Sequence, residues 1–280
     1  MTTTTQIQYS TLLPWSYSKW KSLKNCHLQF YLKYIEKIKV PYVEAPETAI
    51  GKAAHEVLEH IIDGKTYDQA IQLAKVSHQK KVDWKKDIED GLGAQILSFQ
   101  SRLAAFKRAH GVKAIFQEQR VAITENFTKT TFFGDDCFYR GVIDLCMYLD
   151  NGDVVIIDHK TGAPASMGLN NFQGQLDVYK VLSHYGIGSV KGAATGVHFV
   201  RDAEIKIGNR SDQEAIEGTL KQNLLFNIQM EIDLWNEAGN LKKTKGHYCK
   251  YCDYQVDCKA GKLNHYENKK IHVYRIEKST

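Results

Sequence analysis

The sequence predicts an α/β protein: an α/β core with a helical N-terminal region packed around it. Three observations predict this class. Apolar residues recur every three or four positions up to about residue 110, which is typical of helices. Short apolar runs around an Asn-Gly turn follow, and the C-terminal half then alternates helix, strand and helix patterns.

Composition places the chain among folded proteins with about one large domain. It has 280 residues, of which 43% are hydrophobic and 25% are charged. No run approaches the ~18 apolar residues of a membrane span, and the first residues lack a signal-peptide pattern. We therefore expect a cytoplasmic protein with no membrane partner. The net charge of +5 permits an anionic partner without requiring one.

The first half of the chain is predicted to be helical. Residues 1–8 are expected to be frayed, and Ser16 or Ser18 is expected to cap a helix that continues to about Ile38. Pro46 favours the start of a second helix, which Gly64 ends. Two further helices are predicted between residues 67 and 110.

The second half is predicted to begin with strands over residues 114–124 and 137–149. Asn151-Gly152 is a strong two-residue hairpin signal, and the apolar run 154–157 follows it directly. The pattern then predicts a helix over 169–185, a strand over 190–200 and a long helix over 211–238.

Two carboxylates flank the predicted hairpin at similar depths. Asp144 lies seven residues before Asn151, and Asp158 lies six residues after Gly152. Antiparallel pairing would bring the two carboxylates together as an oxygen-rich site suited to Mg²⁺ or Mn²⁺. The alternative is a surface hairpin that carries scattered charges.

Lys160 lies two residues beyond Asp158, so both side chains share one face of a strand. An ammonium group there can polarise a metal-bound water and offset charge on a phosphorane-like transition state. The buried apolar run leads straight into Asp158, His159 and Lys160, which favours a functional use of these ionisable groups.

Two helical patterns add further candidates. His55 and Glu59 are four residues apart on one helix face, and imidazole is a competent metal ligand. Residue 59 is not a second histidine, so this is not a zinc-protease helix. Gln175 and Tyr179 are also four apart and can grip a phosphate or base edge. For His55 the alternative is a structural histidine, and for the second pair it is a core tyrosine with a solvated glutamine.

Four blocks in this order resemble the RecB-like branch of the PD-(D/E)XK nuclease superfamily over residues 47–200. The first block runs from Gly51 through His55 to Glu59, and the second from Gly141 to Asp144. The third runs from Asp158 to Lys160, and the fourth from Gln175 to Tyr179. The resemblance implies a restriction-endonuclease-like core, with a central mixed sheet flanked by helices.

The resemblance also implies residue roles. The divalent metal would be held by His55, Asp144, Asp158 and the backbone carbonyl of His159, while Lys160 would serve the attacking water. The residues expected to contact DNA are Gln175, Tyr179 and Arg140. Glu59 and Glu118 are possible additions to the site. His159 stands where aromatic residues are frequent in the family, so its side chain could instead contact substrate.

Three cysteines lie close together near the C-terminus, at Cys249, Cys252 and Cys258, and Cys26 is the candidate for a fourth ligand. Thiolates alone leave zinc and an iron–sulfur cluster both open. The spacing resembles the iron–sulfur nucleases that include AddB and the CRISPR-associated four-cysteine exonucleases, which implies a [4Fe-4S] cluster. Cys137 and Cys146 are predicted to be small apolar residues of the strands.

The expected activity is that of a metal-dependent DNA exonuclease that hydrolyses phosphodiester bonds from single-stranded ends, in DNA repair, recombination or phage DNA metabolism. The alternative is a DNA-binding or scaffold subunit in a complex with repair or recombination proteins. We expect a helical segment (1–46), a nuclease core (47–240) with a helical insertion at about 66–110, and an iron–sulfur segment with a tail (241–280), all in one compact unit. The sequence makes no prediction of oligomeric state.

Overall fold

A computed structural model describes residues 4–41, 44–78, 82–188, 190–267 and 269–275. The strands are β1 Thr4–Gln8, β2 Val112–Ile123, β3 Tyr139–Leu149, β4 Asp153–Lys160, β5 Gly192–Phe199, β6 Glu204–Ile207, β7 Ser211–Asp212 and β8 Lys270–Tyr274. The helices are α1 Tyr17–Asn25, α2 His27–Phe30, α3 Pro46–Ile62, α4 Tyr67–His78, α5 Gly93–His110, α6 Gln173–Leu182, α7 Gln213–Ala215, α8 Lys221–Ala238, α9 Gln255–Lys259 and α10 Asn264–Glu267.

The described residues form a six-stranded sheet with the order β2-β3-β4-β5-β6, and β7 pairs with the start of β5. The sheet is mixed, because β3 and β4 are antiparallel, β4 and β5 are parallel, and β5 and β6 are antiparallel. A parallel pair needs a crossover connection, and α6 lies in the segment between β4 and β5. The predicted α/β class with a central mixed sheet is confirmed.

The hairpin between β3 and β4 forms where it was predicted. Gly152 adopts a φ of 88°, which a glycine reaches without steric cost, and its amide donates to the carbonyl of Leu149 over 3.0 Å. The ladder pairs Tyr148 with Val154 and ends at Leu145 opposite Ile157. One position further on, Asp144 and Asp158 therefore lie at the same depth.

Two compact units divide the chain, and both are discontinuous in sequence. The sheet unit contains residues 43–121 and 142–218, and the terminal unit contains residues 1–42, 122–141 and 219–280. The expected boundaries at residues 46 and 240 follow the linear sequence, whereas these units bring together segments that are far apart in the chain.

In the sheet unit, helices α3, α4 and α5 share one apolar core with β3 and β4. Helix α3 buries Ala54, Val57, Leu58 and Ile61 at helical spacing, as the sequence predicted. The same core includes Val155 and Ile157, which are two residues apart on β4 and so share one face of the strand. Residues of β4 alternate between faces, so Asp158 lies on the opposite face of the strand from this core.

The terminal unit corrects the expectation that residues 1–8 are frayed, as far as residues 4–8 are concerned, since residues 1–3 lie outside the described residues. Strand β1 pairs in parallel with β8, with Ile7 opposite Val273, and both side chains are buried. The Thr-rich start has β propensity, but the strand that completes the pair lies at the other end of the chain. No local pattern could identify that partner.

The helix predicted to run unbroken from Ser16 to Ile38 is interrupted. Ser16 does cap it, since its hydroxyl accepts a hydrogen bond from the amide of Lys19 over 3.2 Å. Cys26 then adopts an extended conformation (φ −163°, ψ 110°) between α1 and α2, and a π-helical turn follows over Tyr31–Ile35. The break thus lies at the predicted fourth cysteine ligand. The long helix predicted from residue 211 likewise begins two residues later, after β7.

Gly51 lets α3 approach the residue that follows β4. A Cβ atom at Gly51 would lie 2.9 Å from Oγ1 of Thr161, which is closer than real contacts allow. In a helix, alanine is more stable than glycine by about 1 kcal/mol. We therefore expect Gly51→Ala to stabilise the protein by about 1 kcal/mol in a Thr161→Ala background, and by clearly less in the parent protein.

Urea unfolding of the four proteins in this double-mutant cycle measures the difference. An equal gain in both backgrounds would show that the approach of Gly51 to Thr161 places no constraint on the helix.

Candidate functional site

The candidate site lies in the sheet unit, where β4 ends. It combines His55 from α3, Asp144 from β3, and Asp158 and Lys160 from β4. Nδ1 of His55 is 3.9 Å from Oδ2 of Asp144, and Nζ of Lys160 is 2.7 Å from Oδ2 of Asp158. The structure thus brings together all four side chains on which the sequence-based prediction depends.

The backbone of His159 links two of these groups. Its amide donates a hydrogen bond to Oδ2 of Asp144 over 2.8 Å, and its carbonyl oxygen is 3.0 Å from Nε2 of His55. The carbonyl predicted to complete the metal site therefore does lie at the site, in contact with the imidazole of His55.

Glu118 belongs to the site more closely than its sequence signal indicated. Among the described residues, one set of three His, Cys, Asp or Glu side chains has ligand atoms within 4.8 Å of one another, and it consists of His55, Glu118 and Asp144. Glu118 has a φ of 44°, which is unusual for a non-glycine residue within a strand. Such strained positions are frequent at functional sites.

Asp158 is held by three side chains. Besides the ion pair with Lys160, its Oδ1 accepts hydrogen bonds from Nε2 of Gln175 over 3.0 Å and from the hydroxyl of Tyr179 over 3.3 Å. Its side chain is only 3% exposed, and its Oδ2, which lies beside Lys160, is buried without a hydrogen-bond partner. Enclosure fixes its orientation relative to Asp144.

Gln175 and Tyr179 of α6 both contact Asp158, although the alternative was a solvated Gln175 and a Tyr179 that only fills the core. Tyr179 is buried, but its hydroxyl receives a hydrogen bond from Nε2 of Gln175 over 2.7 Å as well as contacting Asp158. Both residues therefore belong to the site as positioning groups for a carboxylate. Their predicted contact with DNA stays a prediction.

The electrostatics of the site favour a cation. Burial, and then the charge of Asp158, raise the pKa of Asp144 to about 7. Burial and the neighbouring Glu118 raise the pKa of Glu59 to about 7, and burial also raises the pKa of Glu118. These carboxylates ionise reluctantly without nearby positive charge. A hard divalent cation supplies that charge, so the donor set fits Mg²⁺ or Mn²⁺.

His55 has the protonation state that a metal ligand needs. Burial lowers the pKa of its imidazole, so the ring is neutral at physiological pH. Glu59, four residues further along α3, faces the same polar cavity of about 630 Å³, together with Glu118 and His55. The predicted shared face of the helix is confirmed.

The side chain of His159, for which a substrate contact was the alternative, points into the interior of the sheet unit in this structure. Its ring is buried, and Nδ1 lies 2.9 Å from Nδ1 of His198 on β5. The ring of Phe99 packs against both imidazoles, at centroid distances of 5.2 Å and 4.6 Å. Burial lowers the pKa of His159 well below its usual value and that of His198 to about 4, so both rings are neutral.

His198 and Phe99 were not identified from the sequence. Neither belongs to a recognisable motif, and a single buried histidine or phenylalanine is most often part of a core. The only signal is the parallel register that pairs His198 with His159, and that register is a product of the tertiary structure.

Arg140 lies in the terminal unit. Its guanidinium packs over the rings of Phe132 and Phe133, at 4.9 Å and 5.3 Å, and donates a hydrogen bond to the carbonyl of Phe132. The ring of Phe133 is 74% exposed. A guanidinium beside an exposed ring suits a nucleic-acid strand, but the predicted DNA contact of Arg140 stays a prediction.

The four cysteines singled out in the sequence line one cavity of about 570 Å³ in the terminal unit: Cys26, Cys249, Cys252 and Cys258. Burial raises the pKa of the Cys252 and Cys258 thiols, and the charges of neighbouring cysteines raise them further. Three lysines line the same cavity, at positions 243, 245 and 259.

The remaining two cysteines are buried apart from this cavity. Cys146 lies within β3 with no exposed surface, as predicted. Cys137 is also buried but precedes β3, since that strand begins at Tyr139.

The fold and the site define a class of protein. A mixed sheet carries two carboxylates and a lysine where its central strands end, and such a donor set suits a divalent cation. The chain matches the model of the PD-(D/E)XK nuclease superfamily over residues 14–259, and it belongs to that superfamily. Nucleases of this superfamily use divalent metal ions and act on DNA.

Two solved structures resemble the chain. One, titled "Putative exonuclease", comes from Eubacterium rectale and is 13% identical, covering 80% of this chain and 84% of its own, with a TM-score of 0.45. The other, titled SSO0001, is 14% identical and covers 84% of this chain and 94% of its own, with a TM-score of 0.33. No curated protein matches the chain. Of the helices in the described ranges, none has the length and apolar character that crossing a bilayer requires.

Asp144→Asn tests the electrostatic strain at the site. The pKa of Asp144 is about 7 in the folded protein and about 4 in an unfolded chain. As the pH rises from about 4 to about 7, ionisation of Asp144 therefore lowers the free energy of unfolding more and more. In EDTA we therefore expect Asp144→Asn to be more stable than the parent by roughly 1–3 kcal/mol at pH 8. The gain should shrink as the pH falls to 5.

Urea unfolding at both pH values measures this difference. Asp135→Asn, on an exposed loop, is the matched control and should show no such trend. A gain for Asp144→Asn that is the same at pH 5 and pH 8 would contradict the assigned shift.

Proposed function

We propose that this protein is a divalent-metal-dependent deoxyribonuclease that hydrolyses phosphodiester bonds. The observation that carries the proposal is the convergence of His55, Glu118 and Asp144 beside the Asp158–Lys160 pair. Nitrogen and carboxylate donors of this kind suit Mg²⁺ or Mn²⁺. The proposed ligands are His55, Asp144, Asp158 and the His159 carbonyl, and the three-residue grouping supports adding Glu118.

The bound metal ion would supply Lewis acidity at the scissile phosphate and a water of lowered pKa. Lys160 orients the attacking water and offsets the negative charge that develops on the phosphorus oxygens. Asp158 holds Lys160 in place through their 2.7 Å contact, and Gln175 and Tyr179 hold Asp158 in turn. In-line attack leaves a 5′-phosphate and a 3′-hydroxyl.

The proposed substrate is DNA, attacked from single-stranded ends. The exposed ring of Phe133 beside Arg140 offers a stacking surface with a cationic edge, which suits unpaired bases. Gln175 and Tyr179, which already bind Asp158, are proposed to contact the DNA strand too. A role in DNA repair, recombination or phage DNA metabolism follows from an activity on DNA ends.

The second candidate function is that of a DNA-binding or scaffold subunit that assembles with repair or recombination proteins and cleaves little by itself. The full set of groups at the site disfavours it, because a degenerate nuclease fold has no need for the half-buried Asp144 or for the Asp158–Lys160 ion pair.

We further propose that the four-cysteine cavity holds a [4Fe-4S] cluster, as in the iron–sulfur nucleases similar to AddB. The support for a metal centre here is that all four thiols line one cavity, together with three lysines that can offset thiolate charge. Thiolates alone suit zinc and an iron–sulfur cluster alike, and the resemblance to the iron–sulfur nucleases favours the cluster.

Asp158→Asn tests the proposed chemistry. Asparagine keeps the size of the side chain but removes the charge that binds the cation and holds Lys160. We expect cleavage in the presence of Mn²⁺ to fall at least about a hundredfold, while the thermal midpoint stays close to that of the parent. Asp177→Asn on α6, which pairs with Lys180 and lies outside the site, is the matched control and should retain activity.

End-labelled single-stranded, double-stranded and circular DNA separate the alternatives. Loss of label from linear single strands, with circles left intact, is expected for an exonuclease. If Asp158→Asn cleaves DNA as fast as the parent, the proposed catalytic role of this site is wrong. Stoichiometric DNA binding without cleavage by the parent, in both Mg²⁺ and Mn²⁺, would favour the scaffold function.

Cys26→Ser tests the cluster. Protein purified without oxygen is expected to be brown, to absorb at about 400 nm and to contain about four irons per chain. Cys26→Ser should lose most of this iron, because one ligand of four is gone. Cys137→Ser, a buried cysteine outside the cavity, should keep it. A colourless parent protein with one zinc per chain would overturn the cluster in favour of zinc.

A further inference from the structure

We infer that His198 is a positioning residue of the metal centre and that it acts through His159. This inference rests on the proposed function, because it assigns a supporting residue to the same metal site. His198 lies on β5, and among the described residues its ring contacts are with His159 and Phe99, not with the side chains of the proposed ligands.

The sheet itself brings the two histidines together. His159 of β4 and His198 of β5 are partners in the parallel register, so their side chains project from the same face. Their Nδ1 atoms are 2.9 Å apart, which is a hydrogen bond between two neutral rings in which one donates and the other accepts.

The surroundings hold this pair rigidly. The two rings are 5% and 1% exposed, and Phe99 stacks on His198 with an interplanar angle of 18° while meeting His159 edge-on. In such an enclosed place a polar ring atom without a partner is costly. Nε2 of His159 is buried without a hydrogen-bond partner, so the Nδ1–Nδ1 contact is the hydrogen bond that orients this ring against His198.

The backbone of His159 transmits this restriction to the metal centre. Its amide binds Asp144 and its carbonyl contacts His55, so both groups depend on the orientation of the peptides on either side of one residue. The ring contact restricts the side-chain torsions of His159, and the ladder with β5 holds its backbone, so a displacement of this residue as a whole would move both contacts at once. His198 therefore fixes two proposed ligands without touching either.

A purely structural role would not require this chemistry. An aliphatic or aromatic pair fills a core without a hydrogen bond to satisfy, and buried polar pairs often add little stability over well-packed apolar ones. Outer-shell groups that orient ligands, by contrast, typically change metal affinity 10–100-fold when they are replaced. The pair is thus suited to orientation more than to stability.

Two variants of His198 separate these roles. Leucine fills similar space without a polar atom, whereas asparagine places an amide atom near the position of Nδ1. We expect His198→Leu to weaken Mn²⁺ binding about tenfold and His198→Asn to remain within about threefold of the parent. Calorimetric titration of the full chain with Mn²⁺ alone, without DNA, measures both.

Mn²⁺ affinity equal to the parent in a folded His198→Leu protein would overturn the inference. If that variant does not fold, Mg²⁺ titration of parent protein with ¹⁵N-labelled histidines gives the answer instead. The ring signals of His198 should then move with the same midpoint as those of His55. A His198 ring that does not respond while His55 does would equally overturn the inference.

The same titration distinguishes failure of the inference from failure of the proposed function. Asp144→Asn should abolish most Mn²⁺ binding if the metal centre is assigned correctly. A parent that binds no Mn²⁺, or an Asp144→Asn protein that binds it as the parent does, removes the metal centre and the inference together. Normal binding by the parent and by His198→Leu removes only the inference.

Discussion

The antiparallel register of β3 and β4 is the constraint on which the rest of the site depends. It places two carboxylates side by side at the end of the central strands, where burial and the charge of Asp158 raise the pKa of Asp144. Asp158 is compensated by Lys160 and by hydrogen bonds from α6. Asp144 receives a backbone amide from His159 and lies near a neutral imidazole. The protein thus maintains an electrostatic cost that a divalent cation would relieve, as expected where function and stability compete.

His159 links the carboxylate site to the neighbouring strand of the sheet. Its backbone serves the metal side of the site, while its ring is locked on the opposite side against His198 and Phe99. Because alternate residues of a strand face opposite ways, one segment of three residues supplies a carboxylate, a backbone clamp and an ammonium group. The short run from Asp158 to Lys160 is therefore supported from both faces of the sheet.

The terminal unit joins the N-terminal and C-terminal segments of the described chain through direct contacts. Strands β1 and β8 pair, Lys33 forms an ion pair with Asp253, and the hydroxyl of Tyr254 donates to the carbonyl of Ile38. A cluster on Cys26 and the three C-terminal cysteines would add a link across the same ends. Such a link restricts the unfolded chain most when it closes a long loop.

The sequence by itself determined the elements whose signals are local. The Asn151-Gly152 turn, the apolar face of α3 and the position of Asp158 at the end of a buried run follow from periodicity and turn chemistry. Only the tertiary structure decided the pairing of β1 with β8, the place of Glu118 beside His55, and the His159–His198 contact. These depend on strands and helices that are distant in the chain, and single-residue spacing carries no information about which distant element will become the neighbour.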